Sequence, residues 1–131
     1  MRAAVLAVAT LLAGGAQAKA ACPAGMRAVT SAELFFGLDE GGATISEGDW
    51  RSFLDREVTP RFPAGLTAWD AHGQWRSDAG VLTRESSKVM LIVLAGRPGE
   101  RARLKAVIEA YKGRFHQRSV LLAEHRDCAS F

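Results

Sequence analysis

The feature that most constrains this chain is the order of its hydrophobic patterns. Two stretches carry apolar residues at helical spacing, and each lies between stretches with the apolar pattern of β-strands. The first helical stretch begins after the cap residue Ser46 and ends before Pro60, and the second spans residues 100–116. The predicted strands span residues 29–38, 65–76, 82–95 and 119–125. The chain therefore reads strand, helix, strand, strand, helix, strand.

This order predicts an α+β fold of the ferredoxin-like kind. Two interleaved right-handed β-α-β crossovers form a βαββαβ sandwich, in which a four-stranded antiparallel sheet carries both helices on one face. The predicted sheet order is 4-1-3-2. We expect a bulge or kink in the second strand around residues 70–73, where the polar Asp70 to Gly73 segment interrupts it. Without an internal repeat or linker, residues 21–131 are predicted to form a single domain.

Residues 1–20 have the pattern of a secretory signal peptide. Arg2 is followed by an uncharged, Ala-rich apolar run to Ala18, and small residues predict cleavage after Ala18 or Ala20. A membrane anchor is disfavoured because the run is short and weakly apolar, and a lipoprotein is disfavoured because Lys19 stands three places before Cys22. We therefore expect a periplasmic or secreted protein with no membrane span after cleavage.

Charge argues against nucleic acid as a partner. Cleavage after Ala20 removes Arg2 and Lys19 and no acidic residue, so the formal charge falls from +3 to about +1. The remaining basic residues are scattered and form no stripe interleaved with aromatic residues.

Cys22 and Cys128 are the two cysteines, one near each end of the mature chain. In an exported protein such a pair predicts a disulfide, and the predicted sheet order brings the start of strand one beside the end of strand four. A metal site is the weaker interpretation, because His72, His116 and His125 are isolated and no further ligands stand at zinc spacing. No cofactor is predicted.

Basic and aromatic residues give a tentative ligand site. Arg61, Arg76, Arg84 and Lys88 are predicted to converge at one end of the sheet, where they would suit a carboxylate or phosphate. Structural salt bridges to nearby acids explain the same residues. Trp75, together with Trp69, is predicted to line a ligand pocket or, alternatively, to pack in a half-buried strand. The candidate ligand-site residues are therefore Arg61, Trp75, Arg84 and Lys88.

No catalytic residue is assigned. Ser86 and Lys88 stand two apart on one strand face, as a nucleophile and its base would, but the solvated end of a strand explains them equally. His116 is predicted to cap the second helix at its C-terminus.

The uncovered face of the sheet predicts a homodimer. Strand three has no polar residue from Val89 to Leu94, Phe35 lies on the face opposite Leu34, and strand four has Val120 and its neighbours in an apolar run. An apolar patch across neighbouring strands is expected to find a partner, and a two-fold pairing of identical sheets is the commonest closed solution.

Several runs resemble the bacterial family called domain of unknown function 3574. They are ELFFGL at 33–38, VTPRFPAGLT at 58–67, GQWR at 73–76, RESSKV at 84–89 and YKGRFHQRSV at 111–120. The resemblance covers most of the mature chain in the right order. It implies a small exported bacterial protein of unassigned role and supplies no catalytic residue.

Three classes of function follow from these observations. The first is a non-catalytic module of the cell envelope that binds a ligand or partner. The second is a small dimeric enzyme of the α/β-barrel kind acting on an anionic small molecule, which rests on fold analogy. The third is a structural factor of the envelope.

Overall fold

The computed structural model describes residues 21–40 and 43–131. Residues 1–20, which have the pattern of a signal peptide, lie outside this part, and so do Gly41 and Gly42, which follow the first predicted strand. The strands are β1 (Arg27–Gly37), β2 (Asp39–Glu40), β3 (Ala43–Thr44), β4 (Thr67–Arg76), β5 (Leu82–Leu94) and β6 (Leu121–Ala129). The helices are α1 (Glu47–Phe53), continued by a π-helical turn (Leu54–Val58), and α2 (Glu100–Arg114).

The main sheet is antiparallel with the order β4-β5-β1-β6, and β2 and β3 form a separate small hairpin. This is the predicted 4-1-3-2 order, so the ferredoxin-like α+β fold is confirmed. Both helices cover one face of the sheet, which we call the helix face. The other we call the open face.

Alternation along β1 decides which side chains enter the core. Leu34 and Phe36 point to the helix face and are fully buried, as are Met90 and Ile92 of β5. Phe36 packs edge-on against Tyr111 of α2, with ring centroids 4.6 Å apart. The Tyr111 hydroxyl donates a hydrogen bond to the Gly37 carbonyl, 2.7 Å away, which fixes α2 to the end of β1.

The first helix begins as predicted and ends differently. The Ser46 hydroxyl accepts a hydrogen bond from the Asp49 N–H at 3.1 Å, so the predicted cap is confirmed. After Phe53 the helix widens into a π-helical turn, in which the Thr59 N–H donates to the Leu54 carbonyl at 2.9 Å. Since Phe53 and Val58 are both fully buried, the wider turn keeps the two side chains directed at the core.

The bulge predicted in β4 is wrong. Thr67 to Arg76 pair one by one with Leu91 to Leu82, without an extra residue. Gly73 lies opposite Glu85 in this register, and its missing side chain gives the glutamate space instead of bending the strand. Pairing over the full length outweighs the weak strand preference of Asp70 and Gly73.

The predicted disulfide is present. Cys22 precedes β1 and Cys128 lies within β6, opposite Ala28 of β1, with the two Cα atoms 5.6 Å apart. The bond joins residues 106 apart, which on the loop-closure estimate lowers the entropy of the unfolded chain by an amount worth about 4 to 5 kcal/mol. A disulfide of this kind is consistent with an oxidising compartment outside the cytoplasm.

Within residues 21–40 and 43–131, no helix has the length and apolar character needed to cross a membrane.

Candidate functional site

The helix face carries a buried cation, Lys88. The alternation of side chains along β5 places the Lys88 side chain on this face, where it is only 5% exposed. Its ammonium group donates hydrogen bonds to the carboxylates of Asp70, its neighbour on β4, and Glu47, in the first turn of α1. The two carboxylates lie at the surface, with side chains 76% and 65% exposed. Lys88 thus ties α1 to the sheet.

Its surroundings keep Lys88 protonated. Burial by itself lowers the pKa of the Lys88 ammonium, but the hydrogen bonds to Asp70 and Glu47 and their negative charges outweigh burial, so the pKa is raised. A lysine with a raised pKa is a poor general base, which argues against the Ser86 and Lys88 nucleophile and base pair. With two carboxylates already bound to it, the ammonium has no excess positive charge to offer an anion.

The predicted basic cluster is not assembled. Arg61 lines a cavity with Leu91 and Val93, near the C-terminal end of β5, and donates to the Glu57 carboxylate at 2.9 Å. Arg84 lies near the other end of β5, exposed beside His72. Arg84 is also four residues from Lys88 along the strand, about 13 Å. Ligand binding by the individual residues stays a prediction, but the structure separates them.

The open face contains a cleft at the end of the sheet where β1 and β6 meet α2. We call it the open-face cleft. Its volume is about 1040 Å³, and its floor and walls include Phe35, Trp75, Glu85, Leu121 and the segment 116–119. Trp75, a predicted site residue, is 51% exposed, so its ring is available to a ligand rather than used in the core.

Two acidic side chains interrupt the apolar open face. Glu85 lies in the cleft directly over Gly73, where a Cβ atom would come within 3.3 Å of the Glu85 Cγ. Glu33 lies on β1 opposite Leu91. Both are half-buried, and within the described part of the chain neither has a cation or hydrogen-bond donor as a partner.

Sequence reasoning missed this pair of acids. The sequence patterns single out neither residue: Glu33 lies within the first predicted strand, and Glu85 is one of the acids near the predicted basic residues. The one signal in the sequence was the alternation of side chains along a strand: Glu33 alternates with the buried Leu34, and Glu85 alternates with Arg84.

His116, whose backbone has a left-handed conformation, lies at the rim of the cleft. His116 follows the last turn of α2 with φ = +50°, and the next N–H, from Gln117, donates to the Lys112 carbonyl at 3.1 Å. His116 therefore ends α2, as its sequence position predicts, by the route that glycine commonly takes. The Gln117 side-chain amide donates to the Asp39 carbonyl at 2.6 Å and holds this loop against the end of β1.

Two solved structures share this fold. A phage SAM lyase in complex with S-methyl-5'-thioadenosine aligns with a TM-score of 0.58 and 19% sequence identity, covering 79% of this chain and 90% of that chain. A phage SAM lyase in the apo state aligns with a TM-score of 0.58 and 20% identity, covering 79% and 89%. At this identity the similarity establishes the fold. No curated protein matches the chain.

The family resemblance drawn from the sequence runs is confirmed over a longer range. A family model described as "Protein of unknown function (DUF3574)" matches residues 31–131, which includes most of β1, the other three strands of the main sheet and both helices. The match covers well over half of the chain. The chain therefore belongs to the DUF3574 family.

Proposed function

We propose that this protein is an exported, non-catalytic module that binds a small cationic molecule with a flat, aromatic body in the open-face cleft. The observation that carries the proposal is the Glu85 carboxylate, half-buried over Gly73 and without a partner in the described residues. A carboxylate held partly away from water is costly unless a cation approaches it. A ligand that brings a positive charge relieves that cost.

Aromatic side chains support the second half of the proposal. Trp75 exposes half of its surface in the same cleft, and the half-buried Phe35 also lines it. The faces of such rings attract cations and stack on flat ligands. The cleft therefore suits a ligand that carries both features.

The ligand class differs from the anionic molecule expected from the sequence. That expectation depended on Arg61, Arg84 and Lys88 acting together, and the three lie in different places. Lys88 is also neutralised by Asp70 and Glu47. The charged residues that line the open-face cleft are instead the acids Glu85 and Asp39 and the base Arg118, which is exposed at its rim.

Matched ligand pairs test the proposal by calorimetric titration of the purified protein with its disulfide intact. S-adenosylmethionine and S-adenosylhomocysteine differ in the charge on sulfur, and 1-methylnicotinamide and nicotinamide differ in the charge on the ring. We expect at least one cation to bind about tenfold more tightly than its neutral partner, equivalent to about 1.4 kcal/mol. Equal affinities within both pairs, or no binding, would refute the proposal.

Variants locate the binding. Glu85→Gln should remove the preference for the cation, and Trp75→Ala should weaken both members of a pair. Asp55→Asn removes an exposed carboxylate on the π-helical turn, away from the cleft, and should leave the preference intact.

The export half of the proposal rests on the pattern of residues 1–20 and on the Cys22–Cys128 disulfide. Fractionation of a bacterium that expresses the full chain, followed by N-terminal sequencing, tests it. We expect a periplasmic or secreted product beginning at Lys19 or Ala21. A product retained in the cytoplasm with residues 1–20 uncleaved would contradict it.

A second candidate is an enzyme, and the similarity to phage SAM lyases favours it. S-adenosylmethionine is a sulfonium cation with an adenine ring, and so belongs to the ligand class proposed for the cleft. Incubation with S-adenosylmethionine and chromatographic detection of S-methyl-5'-thioadenosine tests this candidate. Product formation that Glu85→Gln abolishes would replace the non-catalytic proposal, and binding without product would retain it.

A further inference from the structure

A second cavity lies at the opposite end of the sheet, and it is rich in arginine. Its volume is about 460 Å³. The segment that follows α1, the C-terminal half of β5 and the start of α2 enclose it, and four arginines line it: Arg27, Arg61, Arg97 and Arg103. We call it the arginine cavity.

Most of this positive charge is not neutralised by protein. Arg61 pairs with Glu57, and in the described part of the chain the other three arginines have no carboxylate within ion-pair distance. Glu100 is the acid in the cavity wall, and its carboxylate is occupied by backbone N–H groups. It accepts hydrogen bonds from Gly96 at 2.9 Å and Arg97 at 3.0 Å.

Arg103 gives a second, independent indication of a binding site in this cavity. Its Nε atom is buried and has no hydrogen-bond partner, alone in this respect among the described side chains. The rest of the guanidinium is positioned: one terminal nitrogen donates to the Pro98 carbonyl at 3.3 Å, and the group lies 5.9 Å from the centre of the Phe62 ring. Buried polar groups in native proteins nearly always have a partner, so an orphaned donor requires an explanation.

We propose that the arginine cavity binds a small molecule with two or more negative charges, through carboxylate or phosphate oxygens. Guanidinium groups suit such ligands because their planar N–H donors match the geometry of these oxygens. Arg61 retains donors beyond those used on Glu57, and Arg97 and Arg27 are exposed at the mouth. The start of α2 beside the cavity adds a favourable dipole.

This proposal is independent of the one for the open-face cleft. The two cavities share no lining residue, and they carry opposite charge: an unpaired carboxylate in one and unpaired guanidinium groups in the other. The anionic ligand expected from the sequence is therefore assigned to Arg61 with three other arginines, in place of Arg84 and Lys88.

Inorganic phosphate, pyrophosphate and citrate serve as probes for calorimetric titration and thermal unfolding of the purified, disulfide-bonded protein. Sodium chloride at matched ionic strength controls for screening. We expect at least one probe to bind and to raise the melting temperature beyond the chloride control, because binding to the folded state stabilises it. A preference between citrate and pyrophosphate distinguishes a carboxylate ligand from a phosphate ligand. Shifts no larger than those of chloride for all three probes would overturn the proposal.

Two variants test the location. Arg97→Gln changes an exposed side chain whose guanidinium has no hydrogen bond in the described structure, so folding should be preserved, and Arg103→Gln removes the orphaned donor. Loss of one charge-assisted contact should weaken binding of the best probe roughly tenfold or more. Arg56→Gln, an exposed arginine on the π-helical turn outside the cavity, should leave affinity unchanged. Equal affinity in wild type, Arg97→Gln and Arg103→Gln would overturn the proposal. If Arg103→Gln fails to fold, Arg97→Gln alone decides.

Discussion

The two faces of the sheet differ in whether their charged side chains have partners. On the helix face the buried Lys88 has two carboxylates as partners and lies beside the aromatic and aliphatic core. On the open face Glu33 and Glu85 lie half-buried without a partner in the described chain. A charge that the protein satisfies itself has a structural role. A charge left unsatisfied beside a cavity is available to a ligand.

The largest loss of stability is expected from truncating a core side chain of β1. The neighbouring side chain, which points to the opposite face, provides the comparison. Phe36→Ala should destabilise the protein by about 3 to 5 kcal/mol, because Phe36 is fully buried between β1, α1 and α2. Phe35→Ala should cost only about 1 to 2 kcal/mol, since Phe35 is half-buried on the open face. Urea unfolding measures both. Equal losses would mean that the open face is as tightly packed as the helix face.

Removing the two carboxylate charges around Lys88 should destabilise the protein more than removing the Lys88 ammonium group. Glu47→Gln combined with Asp70→Asn leaves a buried ammonium without an opposite charge and should destabilise the protein by about 3 kcal/mol. Lys88→Met leaves two carboxylates that water already reaches, so its cost should stay below about 1 kcal/mol. Free energies of unfolding at neutral pH measure this difference. A larger loss for Lys88→Met than for the double variant would contradict the assigned roles.

A homodimer through the open face remains a prediction. It implies that a charge placed on that face should disrupt the dimer. Leu91→Asp places a new carboxylate beside Glu33, so burying that face against a second copy should become unfavourable by about 2 kcal/mol or more. Sedimentation equilibrium should detect a dimer for the wild type and a monomer for this variant. Ala102→Asp, on the exposed side of α2, is the matched control and should remain dimeric. A monomeric wild type at micromolar concentration would disprove the dimer.

The smallest expected effect is a change in stability at alkaline pH. Because the pKa of Lys88 is higher in the folded protein than in the unfolded chain, its contribution to stability is complete below about pH 10.4 and is lost as pH rises through the folded pKa. The difference in unfolding free energy between wild type and Lys88→Met should therefore be constant from about pH 7 to 9 and change only at higher pH. A change already at neutral pH would show that Lys88 is not held protonated.

Local patterns predicted the elements well where one face of an element is buried. The stripe Leu104, Val107, Tyr111 and Phe115 located α2, and Ser46 located the start of α1. The π-helical turn and the unbulged β4 were missed, because both depend on contacts with residues far away in the chain. A propensity rule has no access to such contacts.

The candidate site was predicted less well, for a different reason. Trp75 was identified and does line the open-face cleft, but Glu85, which lies in the same cleft, was not. Residue type suggested that Arg61, Arg84 and Lys88 would act together. Their separation follows from the path of the chain after α1 and from the length of β5, neither of which is a local property.

The order of the four main strands and two helices, the ferredoxin-like topology, the disulfide between Cys22 and Cys128 and the family could all be predicted from the sequence alone. These follow from periodicity, from crossover handedness and from residues that match in order, which are all properties of the chain read in one dimension. Only the tertiary structure decided which charges are paired. Whether a carboxylate meets an ammonium depends on distances of a few ångströms between residues far apart in sequence, and those distances exist only once the sheet and helices have packed.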